Sequence, residues 1–366
     1  MAVSADEWRA RVRRYAEFEL RGLSDVYEAI ALGAVEDDSV MEWLAGHAGP
    51  RANPNLLFVA VHYLLLRAAA EGAPATGIAA YFGSLTPEPL PASGAYPEFR
   101  AFWQRHHASL AEILATRATQ TNDVGRCCYL LPAFVRAGQR VGGPFAVIDA
   151  GTAAGLTLFP DRYACDYGEG RIGGAADSPV RLRTEVRGAM PPIAPMPAIV
   201  SRAGIDLTPI DVHDDDATTW LRACVWPEHA ERRENLEAAL SLAREAPPRI
   251  LAGNIIDALP VLAAEAPPGA AIAVTSTNVL PYLSPAERAR YAGVLADIAR
   301  TRDICWIAVE WPPFAQEAGF AGSFEGIEFP PPSLPLTLTT WVNGTRRDEC
   351  LAVTGPHGRW LRWLAD

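Results

Sequence analysis

The sequence predicts an α/β fold in which a mainly parallel sheet with an antiparallel C-terminal edge follows a helical N-terminal region. Three observations carry this. From Ser4 to about Arg140, apolar residues recur at three- and four-residue steps (Trp8, Val12, Tyr15, Ala16; then Leu56, Val59, Ala60, Tyr63, Leu64), the period of amphipathic helices. After Gly142-Gly143-Pro144, short apolar runs alternate with helical segments, as strands buried on both faces do in a parallel sheet. Toward the C-terminus the pattern becomes alternating, Leu336, Leu338, Thr340 and then Leu351, Val353, around Asn343-Gly344, a pair suited to a tight antiparallel hairpin.

In chain order, Asn53-Pro54 opens a helix with a capping amide and a proline in the first turn. Residues 86–97, with four prolines and a glycine, form a loop between helical units. The expected strands are 145–150, 163–166, 207–212, 249–253, 271–276 and 305–310. The helices between them include 228–246 and 285–301, the latter opened by Ser284, Pro285 and Glu287. The proline-rich stretch 190–197 reads as a surface loop. Residues 1–118 are thus expected to be a helical region serving as a lid or substrate element, and 119–366 an α/β domain.

Composition excludes several classes. At 366 residues and 49% hydrophobic content the chain can bury a large core, so disordered and fibrous readings fall away. A net charge of -11 argues against a nucleic-acid partner; Arg9, Arg11, Arg13 and Arg14 read as one helical surface. The most apolar helical stretch, 56–70, is broken by His62 and Arg67 and is shorter than the roughly 20 residues a bilayer requires. No charged-then-apolar signal opens the chain, so a cytoplasmic location without a membrane partner is expected. Six cysteines without a C-x-x-C pair read as reduced thiols. The oligomeric state is not fixed by any of this.

The chemistry concentrates in AVIDAGTAAGLTLFPDRY, which starts at Ala146. An apolar strand ends in Asp149 and a turn with the spacing D-x-G-x-x-x-G, formed with Gly151 and Gly155. Gly151 permits a tight turn, while Ala153, Ala154 and Gly155 leave the start of the expected helix bare enough for a ligand to lie against backbone N–H groups, and Thr152 in the same turn is counted with the expected cofactor-binding residues. An ordinary strand-to-helix turn is the competing reading. The spacing is not the G-x-G-x-x-G of dinucleotide binders. It resembles the first motif of S-adenosylmethionine-dependent methyltransferases with a Rossmann-like fold. That resemblance implies S-adenosylmethionine as cofactor, its methionine and ribose portions surrounded by the strand-end acid and glycines. It also makes the antiparallel ending a methyltransferase-like one.

In open α/β sheets ligands collect at the carboxyl ends of the strands, which directs attention to Asp149, Gly151, Asp166, Asp211, Asn254, Ser276, Asn278 and Glu310. Asp166 ends the expected second strand and suits ribose hydroxyls, or is a plain turn acid. Asn254 suits an adenine edge, or bonds its own backbone. The polar run Thr119, Gln120, Thr121, Asn122, Asp123, ending in the forked cation Arg126, suits a carboxylate or polar substrate; an N-cap would explain only one of its residues. Glu310, after an apolar run and beside aromatic residues, suits a base of raised pKa, with Ser276 and Tyr282 positioning the acceptor.

Other groups carry blander readings. Arg202 with Asp206 and Asp211 reads as an ion-pair network, and His213-Asp214-Asp215-Asp216 as a solvated acidic turn, so no metal is expected. Neither a G-x-S-x-G elbow nor a Gly-Lys-Ser phosphate cradle occurs.

The runs TRATQTNDVGR, AVIDAGTAAGLTLFPDRY, SRAGIDLTPIDV, CVWPEHAERRENLEAAL and PHGRWLRWL together resemble a bacterial family built on a domain of unknown function. The resemblance spans nearly the whole chain and implies a helical part joined to a methyltransferase-like fold, without fixing a reaction. Against its pattern, Gly253-Asn254 stands where Gly-Asp is expected and Thr275-Ser276 where His-Ser is, which bears on ordinary methyl transfer. The expected function is therefore a methyltransferase-like enzyme acting on a small polar molecule. The alternatives are a lyase or hydrolase on the same scaffold and a non-catalytic ligand-binding protein.

Overall fold

Ser4 and Glu7 cap the first helix reciprocally, and Ser24 and Asp37 cap the next two, so the N-terminal helices begin where short oxygen-bearing side chains can take up orphan N–H groups. The structure, a computed structural model, describes residues 3–49 and 52–365. They fall into two units.

The helical unit comprises the described residues up to Thr121 together with Asp214–Arg233. It contains α1 (Ala5–Tyr15), α2 (Asp25–Val35), α3 (Asp38–His47), α4 (Asn55–Ala70), α5 (Ala95–Thr116) and, after a long excursion of the chain, α7 (Asp215–Ala223). Asn53 acts as expected, its Oδ1 accepting the Leu56 N–H at 3.1 Å. Helix α4 is apolar around most of its circumference and is accordingly the buried helix of the unit. Trp8, Tyr27, Phe58, Phe82 and Phe99 fill the core, and Trp220 of the returning segment joins them. Sequence order places Asp214–Arg233 with the α/β part; its packing places it here.

The sheet unit comprises Asn122–His213 and the described residues from Glu234 onward. At its centre β1 (Phe145–Ala150) lies parallel to β6 (Ile199–Asp206) on one side and β8 (Ala271–Thr277) on the other. Parallel strands β7 (Arg249–Ala252) and β9 (Ile304–Val309) extend it. The order β7-β6-β1-β8-β9 is 3-2-1-4-5 by sequence among these five, so successive connections reverse direction between β1 and β8. Beyond β9, β10 (Leu334–Val342) and β11 (Thr345–Thr354) form the expected antiparallel hairpin. Its turn residues Asn343 and Gly344 both have positive φ, as a two-residue hairpin requires. Strands β12 (Trp360–Trp363) and β5 (Glu185–Val186) complete the nine-stranded sheet. Helices α6 (Cys127–Val141), most of α8 (Ala230–Glu245), α9 (Ile255–Glu265), α10 (Pro285–Ile298) and α11 (Pro312–Glu317) belong to this unit. The core on one face joins Ile148, Val274 and Trp306 of the strands to Leu259 of α9 and Tyr291 of α10. No helix among the described residues is long and apolar enough to cross a membrane.

Two expectations need correction. The strand expected at 207–212 is irregular chain; the strand runs just upstream, Ile199–Asp206. Its signal is masked by Ser201, Arg202 and Gly204. Gly204 is required because a Cβ there would lie 2.3 Å from Thr152 Cγ2, and Arg202 serves a loop contact. The second correction concerns Asp166, which ends β2 (Ala164–Asp166), a member of a separate three-stranded sheet with β3 (Ile172–Gly174) and β4 (Arg181–Arg183). The strand beside β1 ends instead in Asp206.

Candidate functional site at the carboxyl edge of the sheet

Asp149 is 3% exposed and stands opposite Thr275 in the β1–β8 register. Thr275 Oγ1 donates to its Oδ1 at 2.5 Å, and Thr157 Oγ1 donates to its Oδ2 at 2.7 Å. Burial raises the Asp149 carboxyl above its ordinary range, while the threonine hydroxyls and the Arg126 charge oppose the rise.

The turn after β1 bends through three left-handed residues, Gly151, Ala153 and Gly155. Its N–H groups are largely used within the protein. Those of Gly151 and Thr152 donate to the Ile205 carbonyl, that of Ala153 to Asp206 Oδ2 at 2.9 Å, that of Gly155 to the Thr152 carbonyl, and that of Leu156 to Asn122 Oδ1 at 2.9 Å. The turn leads into two short 3-10 turns, Leu156–Leu158 and Pro160–Arg162, and not into the α-helix expected there. Pro160 and the Asn122 side chain account for the difference: one removes a donor, the other occupies one. The spaces beside the glycines are also filled. A Cβ on Gly151 would lie 2.4 Å from Val279 Cγ2, and one on Gly155 2.6 Å from Pro248 Cγ.

Glu310, directly after β9, is 1% exposed. Its Oε1 accepts the Val279 N–H at 2.8 Å and its Oε2 the Leu280 N–H at 3.3 Å. Burial pushes its carboxyl up to about 8, against these two bonds and the charges of Arg126 and Arg288. Arg126 is 8% exposed; its Nη1 donates to the carbonyl and hydroxyl of Thr277 at 3.1 and 2.9 Å, and its Nε has no hydrogen-bond partner among the described residues. One buried cation therefore acts on two buried carboxyl groups, each held mainly by other donors.

The remaining candidates distribute as follows. Ser276 is fully buried and accepts the Trp306 indole N–H at 3.0 Å. Tyr282 is 70% exposed, so its ring is not buried with these groups. Asp166 Oδ1 accepts the Gly168 N–H and Asn254 Oδ1 caps α9 through the Ile256 N–H, both at 2.8 Å. The polar run divides between the units. Thr119 accepts from Asn53, the Gln120 backbone meets Cys224, and Thr121 ends the helical unit, while Asn122 and Arg126 belong to the sheet unit. The expected Arg202 network is corrected too: Arg202 pairs with Asp161 at 2.6 Å and with the Leu158 carbonyl, while Asp211 accepts the His213 N–H. Asp214 caps α7.

Sequence reasoning placed Asp206 in an ion-pair network and missed it as a site residue; its Oδ1 also accepts the Thr208 N–H at 2.9 Å, and the parts of Thr157, Thr275 and Thr277 in binding the buried groups were likewise missed. An acid closing SRAGID is the available signal for Asp206; nothing local marks the threonines.

Residues 9–363 match the family described as "Uncharacterized protein conserved in bacteria (DUF2332)", and the chain belongs to that family. No curated protein matches it.

Proposed function

We propose that the protein is an enzyme that binds S-adenosylmethionine at the carboxyl edge of its parallel sheet and transfers the methyl group to a small polar acceptor. The observation that supports this reading is the placing of two strand-end carboxylates, Asp149 on β1 and Asp206 on the parallel neighbour β6, around a left-handed glycine turn beside the point where the strand order reverses. In this reading Asp206, with lone pairs beyond those used by Ala153 and Thr208, accepts ribose hydroxyls, and Arg126 faces a carboxylate. Methyl transfer asks chiefly for alignment of nucleophile and methyl carbon and for exclusion of water. Titration calorimetry with S-adenosylmethionine and S-adenosylhomocysteine tests it. Binding of both, weakened in Asp206→Ala, is expected; binding of neither overturns it.

A second reading, an enzyme on this scaffold without methyl transfer such as a lyase or hydrolase, is favoured by Val279 and Pro248 filling the spaces beside Gly151 and Gly155. In that case Glu310, with its carboxyl pushed up to about 8, is the group suited to acid–base work. Incubation with a small-molecule cell extract separates the two, since only methyl transfer converts S-adenosylmethionine to S-adenosylhomocysteine with a methylated product.

A further inference from the structure

Thr354, the last residue of β11, pairs with Leu334 at the start of β10, and Leu336 pairs with Val309 at the end of β9. The segment that follows β11 therefore emerges at the same sheet edge as Glu310 and Thr277. There a 3-10 turn, Pro356–Gly358, packs backbone to backbone on another, Val124–Arg126. A Cβ on Gly125 would lie 2.5 Å from the His357 carbonyl oxygen, and one on Gly358 would lie 2.2 Å from that of Gly125, so both glycines are needed for the approach. His357 adopts a left-handed φ of 56°, which an L side chain takes at a cost.

This contact brings a carboxylate behind an imidazole. Asp123 Oδ1 accepts the Gly125 N–H at 2.8 Å, and its Oδ2 stands 3.4 Å from His357 Nδ1. The Asp123 side chain is 7% exposed and the His357 side chain 30%. A buried carboxylate at Nδ1 favours the tautomer protonated there and makes Nε2 the basic nitrogen. The same short turn carries Arg126 to Thr277, which ties the pair to the site described above.

We propose that Asp123 and His357 are the proton-transfer pair of this sheet-edge site. For its substrate the inference rests on the methyl transfer proposed above. The acceptor's lone pair forms the bond to the methyl carbon, the carbon–sulfur electron pair goes to sulfur, and the acceptor's proton passes to His357 Nε2. Asp123 holds the ring and stabilises the imidazolium.

Carbethoxylation of the full-length protein at neutral pH, mapped by peptide mass spectrometry, tests the pair without a known substrate. His357 should react several-fold faster than the exposed His107, and Asp123→Asn, which preserves shape and the bond from Gly125, should reduce its rate to that of His107. A His357 rate unaffected by Asp123→Asn overturns the pair, whatever the cofactor does. In the extract assay, His357→Gly, which tolerates the left-handed backbone, should lose product formation, retain S-adenosylhomocysteine affinity and recover turnover with added imidazole. Full turnover without imidazole overturns the proton-transfer role. If the wild-type protein binds neither cofactor form, the methyl-transfer reading fails alone, and the contrast in His357 reactivity between the wild-type protein and Asp123→Asn still decides the pair.

Discussion

Glu310 should make the protein lose stability as pH rises, and the size of the effect follows from its burial. The folded state holds the Glu310 proton up to about pH 8, whereas an unfolded chain releases it near the ordinary value of 4.5. Because the folded pKa is the higher one, the contribution is fully present below the unfolded pKa and is lost as pH rises through the folded one. The loss is about 1.4 kcal/mol per pH unit within that window, or about 4 kcal/mol between pH 5 and 9. Glu310→Gln removes the titration. Its amide oxygen can still accept the Val279 N–H, but its NH2 group faces the Leu280 N–H, a mismatch costing about 1 kcal/mol at every pH. Urea unfolding of both proteins from pH 5 to 9 should therefore show the variant gaining about 4 kcal/mol on the wild type, starting from a small deficit. A difference that stays flat would mean that the carboxylate is hydrated in the folded state, and the buried-acid argument would fall.

Thr275→Val removes a hydroxyl from a buried carboxylate without changing shape, and should cost about 1.5–3 kcal/mol at neutral pH by chemical denaturation. Gly151→Ala forces a side chain onto a φ of 73° and into Val279, for a loss of about 1–3 kcal/mol; adding Val279→Ala should recover the overlap but not the backbone strain. In the helical unit, burial pushes His62 down to about 4, between the Ala223 carbonyl and Ser84. Its contribution is present above the unfolded value of 6.5 and lost as pH falls toward 4, by about 3 kcal/mol in all. His62→Gln should flatten that acid limb in thermal melts at pH 4 to 7, and an unchanged limb would show that His62 is not the titrating group.

The parts of the fold that local sequence reveals are those where burial is uniform. Strands β1, β8 and β9 are buried almost throughout and open on apolar runs, and the Asn343-Gly344 hairpin carries its turn chemistry in two adjacent residues. Strand β6 is equally central but reads as polar, because Gly204 makes room for Thr152 and Arg202 reaches Asp161. That one masked strand is why the second strand-end acid is Asp206 and not Asp166. The site shows the same division. Asp149 and Glu310 are legible as acids after apolar runs, and Arg126 as a cation closing a polar segment. The hydroxyls of Thr157 and Thr275 that hold Asp149 come from register and a turn, which no local pattern states. Tyr282 is a candidate by type and position alone; its 70% exposure is set by the turn that carries it. The return of Asp214–Arg233 to the helical unit is a long-range packing choice with no local signature.

Arg126 opposes the raised carboxyls of both Asp149 and Glu310, so the protonation of the edge responds to any further charge placed there. At neutral pH Glu310 holds its proton, so it does not offset the charge of Arg126 there. A sulfonium brought to this edge would favour ionised Glu310 and expel its proton, whereas the neutral thioether of S-adenosylhomocysteine would not. Calorimetry in two buffers of different ionisation enthalpy counts those protons. Under the proposed reading S-adenosylmethionine should release more protons than S-adenosylhomocysteine at pH 7, and Glu310→Gln should abolish the difference. Equal proton counts for the two ligands in the wild-type protein would place the sulfonium away from Glu310, and with it the methyl transfer away from this edge.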